Sequence, residues 1–192
     1  MNAAGAHEDD SLEVAAIAGT KSGRPEAYEY LVTKYLKRVI SVAWGIVRNP
    51  DDAEDLAQEA FVRAYENIAR FRTGDPFGPW IYRIVTNLSL DVVKHRGRVR
   101  QEALSETEES ERRDRADLPA KSNEIASRID QALQSLPEMQ GLVARLHLVE
   151  EFSHAEIAEM LNLNEGTVRS HLSLARRKLR EQLADVYGGS DE

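Results

Sequence analysis

Apolar residues recur at steps of three and four along almost the whole chain, the period of an amphipathic helix. A short first segment, Ser11 to Ala18, offers Leu12, Ala15 and Ala16 as one apolar side before the punctuation GTKSGRP. Pro25 then opens a longer helix at its first position. The apolar side of that helix is Tyr28, Leu31, Val32, Tyr35, Leu36, Val39, Ile40, Ala43, Trp44 and Val47. RNPDD ends it: Pro50 stops the helix, and Asp51 or Asp52 is expected to cap the next one. That next helix, from about Asp52 to Arg70, has the inner stripe Ala53, Leu56, Ala57, Ala60, Phe61, Ala64 and Ile68. Its outer face carries Glu54, Asp55, Gln58, Glu59, Arg63 and Glu66, with the acids early, where the helix dipole favours them.

FRTGDPFGP interrupts the pattern between Phe71 and Pro79. A further helix follows through Trp80, Ile81, Ile84, Val85, Leu88 and Val92 and is expected to end near Gly97. Residues 98–123 differ: between Leu104 and Leu118 the single non-polar residue is Ala116, a composition that cannot build a core and reads as an acidic linker. Beyond it one helix runs from about Asn123 to Gln134, with Ile125, Ile129 and Leu133 on one side. SLPE leads into a second, with Leu142, Val143, Leu146 and Val149 inside, and the closing GGSDE reads as a frayed end. The expected fold is all-α: a helical domain over 1–97, a flexible acidic linker over 98–123 and a second helical domain over 124–192.

The segment after EEFS holds the most specific local signal. Ser153 followed by Glu156 is a capping box placed before Ile157, Ala158 and Leu161. The short helix it starts must stop near Leu161, because LNLNEG supplies Asn162, Asn164 and Gly166, and Asn164 suits the cap of the next helix. In that helix Val168, Leu172, Ala175 and Leu179 share a face. A short helix, a tight turn and a longer helix with a basic outside form a helix-turn-helix. In such a motif the first turns of the second helix meet base edges and later cations hold phosphates. Glu165, Thr167, Arg169 and Ser170 are therefore the candidate base readers. Ser173, Arg176, Arg177, Lys178 and Arg180 continue the same DNA-facing side, the cations among them as phosphate ligands.

Composition sharpens this picture. The 192 residues carry 33 acids and 25 bases, a formal charge of −8, which argues against a protein that coats nucleic acid by neutralising phosphates. Distribution matters more than the sum. Residues 101–124 hold eight acids against four bases, whereas Thr167–Arg180 holds five bases and no acid, and Lys94–Arg100 four bases and no acid. Two compact basic patches in an acidic chain point to local DNA contact. The second patch, with Asn87, Lys94, Arg96, Arg98 and Arg100, follows Phe71, Phe77, Trp80 and Tyr82. Aromatics beside a basic helix can stack unpaired bases or brace a flipped one. Spacing alone favours a core role for Phe71 and Trp80.

Other chemistries are poorly served. The chain has no cysteine, which excludes disulfides, thiolate metal sites and a cysteine nucleophile. Its five histidines are dispersed, with no H-E-x-x-H, phosphate loop or nucleophile elbow, so neither an enzyme nor a metal or other cofactor is expected. The amino-terminal stretch has no signal-peptide pattern and no run reaches the length of a membrane helix, so the expected location is the cytoplasm, without membrane insertion.

Two blocks resemble bacterial sigma factors of the extracytoplasmic-function group. DAEDLAQEAFVRAYENIARFRTGDPFGPWIYRIVTNLSLDVVKHRGR is similar to the family's region two, and LPEMQGLVARLHLVEEFSHAEIAEMLNLNEGTVRSHLSLARRKLREQL to its region four. The resemblance implies that Asp55, Gln58 and Glu59 grip the clamp helices of the largest subunit of core RNA polymerase, with the flap of the second-largest subunit as a further contact. It implies that loop Thr73–Pro79 captures a flipped base of the −10 element. Phe77, Trp80, Tyr82 and Asn87 would shape promoter reading and melting, with Lys94, Arg96 and Arg98 on the backbone. The helix-turn-helix would read the −35 element. The linker would pass toward the RNA exit, and an anti-sigma factor, in this group often membrane-bound, would hold the protein inactive. His171 and Leu174 stand where the family commonly has bases, and Pro76, Gly78 and Pro79 make the loop unusual. Two alternatives stay open on the sequence: a stand-alone helix-turn-helix regulator, and an adaptor that mimics a sigma factor to sequester its inhibitor.

Overall fold

A computed structural model describes residues 3–104 and 124–187. Among these residues the structure is all-α, without a β-strand, and divides into two compact units, residues 1–103 and 104–192. The acidic stretch from residue 105 to 123 and the closing GGSDE lie outside the described residues.

The first unit contains α1 (Ala3–Lys21), α2 (Pro25–Val47), α3 (Pro50–Asn67), a 3-10 turn (Ile68–Arg70) and α4 (Phe77–Leu104). Pro25 opens α2 as expected, and Arg48 closes it in the left-handed region at φ 56°, its N–H bonded to the Trp44 carbonyl. The cap of α3 lies two residues before Asp51 and three before Asp52. Asn49 Oδ1 accepts the Asp52 N–H at 2.9 Å. Pro50 therefore stands in the first turn of α3, where its missing N–H costs no hydrogen bond, and starts this helix as well as ending the previous one. The buried stripe of α3 is as expected, with Leu56 half-buried; Ala53, Ala57, Ala60 and Ala64 are small enough to let α2 pack closely.

Three expectations for this unit are corrected. In α1, Leu12 and Ala15 are exposed, and the inner face is Glu13, Ala16, Ile17 and Thr20. A glutamate occupies an interior position because its carboxylate is fully engaged there. It accepts from Lys34 Nζ at 2.7 Å, from the Tyr35 hydroxyl, and from the backbone N–H of Phe77 at 2.9 Å. Leu36 on α2 is exposed, and Val42 fills the interior instead. Finally, α4 begins at Phe77, so Gly78 and Pro79 belong to its first turn and not to the loop, and it runs through Gly97 to Leu104. Gly97 does not adopt a positive φ, so it forms no left-handed cap, and an isolated glycine costs a helix only about 1 kcal/mol.

Burial alone raises the Glu13 pKa, but the three hydrogen bonds and the Lys34 charge outweigh it and bring the carboxyl below its ordinary value. Glu13 thus stabilises the fold in full above about pH 4.3, the value in an unfolded chain, and that contribution is lost as pH falls through the lower folded-state value. Both tryptophans, Trp44 and Trp80, lie in this unit, so their fluorescence during acid titration follows it alone. E13Q is expected to flatten the acid limb below that pH. Equal acid sensitivity in the two proteins would place the ionic contribution elsewhere.

An aromatic cluster holds the unit together, with Phe77, fully buried, at its centre. Its ring lies 5.5 Å from Tyr35, 5.5 Å from Trp80, 6.0 Å from Phe71 and 6.5 Å from Tyr28, mostly edge-on, as aromatic quadrupoles prefer. The Tyr28 hydroxyl donates to the Phe61 carbonyl at 2.7 Å, and burial pushes its pKa up. The unusual Gly78 has a packing reason. A Cβ there would stand 3.1 Å from the Tyr35 ring and 3.3 Å from the Tyr82 ring.

The second unit contains α5 (Glu124–Gln134), α6 (Glu138–Leu148), α7 (His154–Leu161) and α8 (Glu165–Tyr187). Leu133, Leu136, Ala144 and Ala175 form a core against which Ile129 and Leu179 pack. The α5 and α6 backbones approach so closely that a Cβ on Gly141 would stand 2.8 Å from the Leu133 carbonyl oxygen. Val149, expected inside, is exposed. The chain leaves α6 at Leu148 and turns at Glu151, φ 59°, which brings Phe152 into the interior in its place.

Candidate nucleic-acid and polymerase surfaces

The helix-turn-helix is built as its local sequence dictates. Ser153 Oγ accepts the Glu156 N–H at 3.2 Å while the Glu156 carboxylate accepts the Ser153 N–H at 2.8 Å, a reciprocal capping box. Asn162, φ 52°, closes α7 in the left-handed region, which asparagine tolerates better than most residues. Asn164 Oδ1 then accepts the Thr167 N–H at 2.8 Å and its hydroxyl at 3.0 Å, starting α8. Val168, Leu172 and Ala175 are buried, which turns the opposite side of α8 outward.

That outer side carries Glu165, Arg169, Ser170, Ser173, Arg176, Arg177 and Arg180, all exposed, with Lys178 half-buried. Thr167 stands in the first turn of α8, half-buried, with its hydroxyl bonded to the cap. Arg169 and Glu165 pair at 3.2 Å across one turn. An exposed pair of this kind is worth well under about 1 kcal/mol, so either partner exchanges readily for a base or phosphate. Arg169, Ser173, Arg176, Arg177 and Arg180 line one cleft of about 410 Å³ with His154 and Leu174. His154 is held at its edge by a ring contact with His147, centroids 4.8 Å apart. The His147 Nδ1 lies 2.8 Å from the Phe152 carbonyl. Leu174 puts an apolar patch into an otherwise cationic cleft.

In the first unit the expected residues separate into two groups. Asp55, Gln58 and Glu59 are exposed together on α3, and Glu59 is bridged to Arg63 at 2.7 Å. Val62, exposed on this helix and four residues after Gln58, extends that ridge with an apolar step. Sequence reading missed it, although an apolar residue at a four-step on a polar face is a legible signal.

The other group surrounds a second cleft, of about 390 Å³, where Trp80 and Asn87 of α4 meet Arg63, Asn67 and Arg70 from the end of α3 and its 3-10 turn. Phe71 lies beneath, its ring 4.7 Å from Trp80. An aromatic wall, an amide and flanking guanidinium groups suit a nucleobase and its phosphate. Arg63, Asn67 and Arg70 were not among the expected residues; only the fold brings their ends against α4. Phe77 and Tyr82 are not on this surface. Both are buried, because α4 starts at Phe77 and turns that residue and Tyr82 inward: Phe77 backs the Trp80 and Phe71 rings, and Tyr82 packs on Tyr35. Lys94 and Arg98 are exposed on α4, and Arg96 is paired with Asp52 of α3 at 2.8 Å. Between the 3-10 turn and α4, the loop 71–76 has residues 72–76 exposed and turns at Gly74, φ 104°.

Among the described residues no cluster of three histidine, aspartate or glutamate side chains could hold a metal, and no helix is long and apolar enough to cross a membrane.

The family described as Sigma-70 region 2 matches residues 31–99, and Sigma-70, region 4 matches residues 126–179. The chain is 31% identical over 185 residues to the ECF RNA polymerase sigma factor SigW of Bacillus subtilis, covering 88% of this chain and 96% of that one. It is 35% identical over 175 residues to ECF RNA polymerase sigma factor SigE of Mycolicibacterium smegmatis, covering 86% of this chain and 65% of that longer relative. Among solved structures, CnrH in complex with the cytosolic domain of CnrY aligns with a TM-score of 0.67 at 23% identity, covering 91% of this chain and 98% of that one. RpoE of Bartonella quintana in complex with the anti-sigma factor NepR aligns with a TM-score of 0.67 at 24% identity, covering 82% and 96%.

Proposed function

Because the chain belongs to the extracytoplasmic-function group of the sigma-70 family, we propose that its two units divide a promoter between them. As a sigma factor it binds RNA polymerase, directs promoter recognition and catalyses no reaction. In the proposed division, Asp55, Gln58, Glu59 and the adjoining Val62 seat α3 on the clamp helices of the largest polymerase subunit. Loop 71–76 and the cleft of Trp80 and Asn87 receive unpaired bases of the −10 element, with Lys94, Arg96 and Arg98 along the backbone. The helix-turn-helix reads the −35 element through Glu165, Arg169 and Ser170, and the flap of the second-largest subunit holds this unit at its spacing. The first promoter-reading domain then extends to the end of α4, past the expected boundary at 97, and the second covers 124–192; the acidic sequence between them is a connection that mimics nucleic acid inside the polymerase.

The observation that carries this reading is the presence, on separate units of one chain, of an open cleft walled by Trp80 and Phe71 and a helix-turn-helix whose outer face is rich in arginine. Each contact is weak alone and specific when both are held at polymerase spacing. A net charge of −8 fits a factor that draws affinity from the polymerase and not from DNA alone. The protein works in the cytoplasm, and an anti-sigma factor, membrane-bound in keeping with the group, covers its polymerase and DNA surfaces at rest. Of the similar structures, RpoE was captured with the anti-sigma factor NepR, and CnrH with the cytosolic domain of CnrY.

Run-off transcription with purified bacterial core polymerase and a promoter library tests this. Wild-type protein is expected to yield promoter-specific transcripts, and D55N/Q58A/E59Q to weaken core binding by about tenfold or more, the scale of a central interface cluster. DNA binding without core binding would identify a stand-alone regulator. Core binding with no transcript from any promoter would identify an adaptor.

A further inference from the structure

One helix holds both ends of the exposed loop. At the loop's entry, Lys21 Nζ at the end of α1 donates to the Phe71 carbonyl and to Thr73 Oγ1, the latter at 3.2 Å. At its exit, Glu13 Oε1 accepts the N–H of Phe77, the first residue of α4, at 2.9 Å. Glu13 is itself fixed through its other oxygen by Lys34 at 2.7 Å and by the Tyr35 hydroxyl. The eight helical steps from Glu13 to Lys21 span about 12 Å, a rigid bar laid along the loop. Within the loop, residues 72–76 are exposed and Gly74 sits at φ 104° with open space around it. The buried rings of Phe71 and Phe77 anchor its two ends 6.0 Å apart. The loop therefore has firm ends and an exposed tip closed by one backbone hydrogen bond of its own, from the Asp75 N–H to the Arg72 carbonyl at 3.2 Å, and the strap sets how that tip is held.

We propose that α1 is a strap for this loop and that Glu13 and Lys21 are positioning residues for the base it captures. Neither lies within the residues matched by the region 2 family. The proposal rests on the reading of loop 71–76 as a base-capture loop. Recognition of one unpaired base needs donors and acceptors held to a fraction of an ångström, which an exposed loop cannot supply alone. Lys21 fixes the carbonyl of Phe71 and the hydroxyl of Thr73, and Glu13 fixes the first turn of α4, so the residues between them are presented in one conformation.

The test uses full-length protein with core polymerase and a promoter panel in which the captured −10 base is varied. K21M removes the entry contacts while keeping the alkyl stem; E13Q weakens the exit contact; D75A alters the loop tip directly. K21M and E13Q are expected to keep wild-type core affinity and to lose about tenfold in discrimination at that one base, within the range of a single well-read position. The preferences at −35 stay unchanged. If D75A loses discrimination while K21M and E13Q retain it, the loop reads the base and the strap proposal is wrong. If none of the three changes discrimination at any position, the base-capture reading fails and takes the strap with it. If K21M and E13Q weaken core binding and transcription equally on all promoters, α1 serves the fold alone and the proposal is overturned.

Discussion

Replacing Phe77 by alanine is expected to destabilise the first unit by about 3–5 kcal/mol, the range for truncating a buried phenylalanine. The side chain is fully buried among Tyr28, Tyr35, Phe71 and Trp80, so truncation opens a cavity with rings on every side that cannot all collapse into it. A domain of this size has about 5–15 kcal/mol in total, so the variant stands near the edge of folding. Urea denaturation followed by tryptophan fluorescence reads it, since Trp44 and Trp80 both belong to this unit. The α5–α8 unit, followed by far-ultraviolet circular dichroism, should keep its own transition. F77L is expected to recover more than half of the loss, because it restores most of the volume. A loss below about 1 kcal/mol in F77A would show that the ring does not support the cluster and would return Phe77 to the DNA-facing side.

That correction shows which parts of the molecule were legible in the sequence. The helix-turn-helix was legible nearly to the residue, because its signals are local: Ser153 with Glu156, Asn162, then Asn164 all lie within twelve positions and each acts on its own neighbours. The polar face of α3 was legible for the same reason. The bond that ties the Thr167 hydroxyl to the cap was not read from the motif, although both partners are local. The inner face of α1 was not legible. A glutamate on the apolar side reads as a surface charge, and its partners at 34, 35 and 77 are neighbours only after folding. The end of α4 was misplaced because glycine is a strong stop only when it takes the left-handed conformation, and Gly97 does not. The first-unit cleft was half legible: Trp80 and Asn87 come from one helix, whereas Arg63, Asn67 and Arg70 arrive from another by tertiary packing. Local chemistry is written in sequence order; sites assembled from separate elements are not.

The last expectation turns on the second cleft. Arg176, Arg177 and Arg180 stand on the later turns of α8, past the positions that reach base edges, and all three are exposed along one cleft. Three cations on phosphates should each contribute about one unit to the slope of log affinity against log salt. R176A/R177A/R180A is therefore expected to reduce that slope by about three. Raising salt from about 50 to 200 mM should cost the wild type about 40-fold more affinity than it costs the variant. The measurement is promoter binding by polymerase carrying the full-length protein, titrated with salt, so that the polymerase's own contribution cancels in the difference. Preference among −35 sequences should survive in the triple variant, because phosphates carry no sequence information. E165Q should behave in the opposite way. A carboxylate at the amino end of a recognition helix accepts from the amino group of cytosine, and the Arg169 pair that holds it is weak enough to be exchanged. Its loss should alter base preference at one position and leave the salt slope where it was. An unchanged slope in the triple variant would remove these arginines from the phosphate path. A change of −35 preference there would make them readers of bases and move the recognition surface toward the carboxyl end of α8.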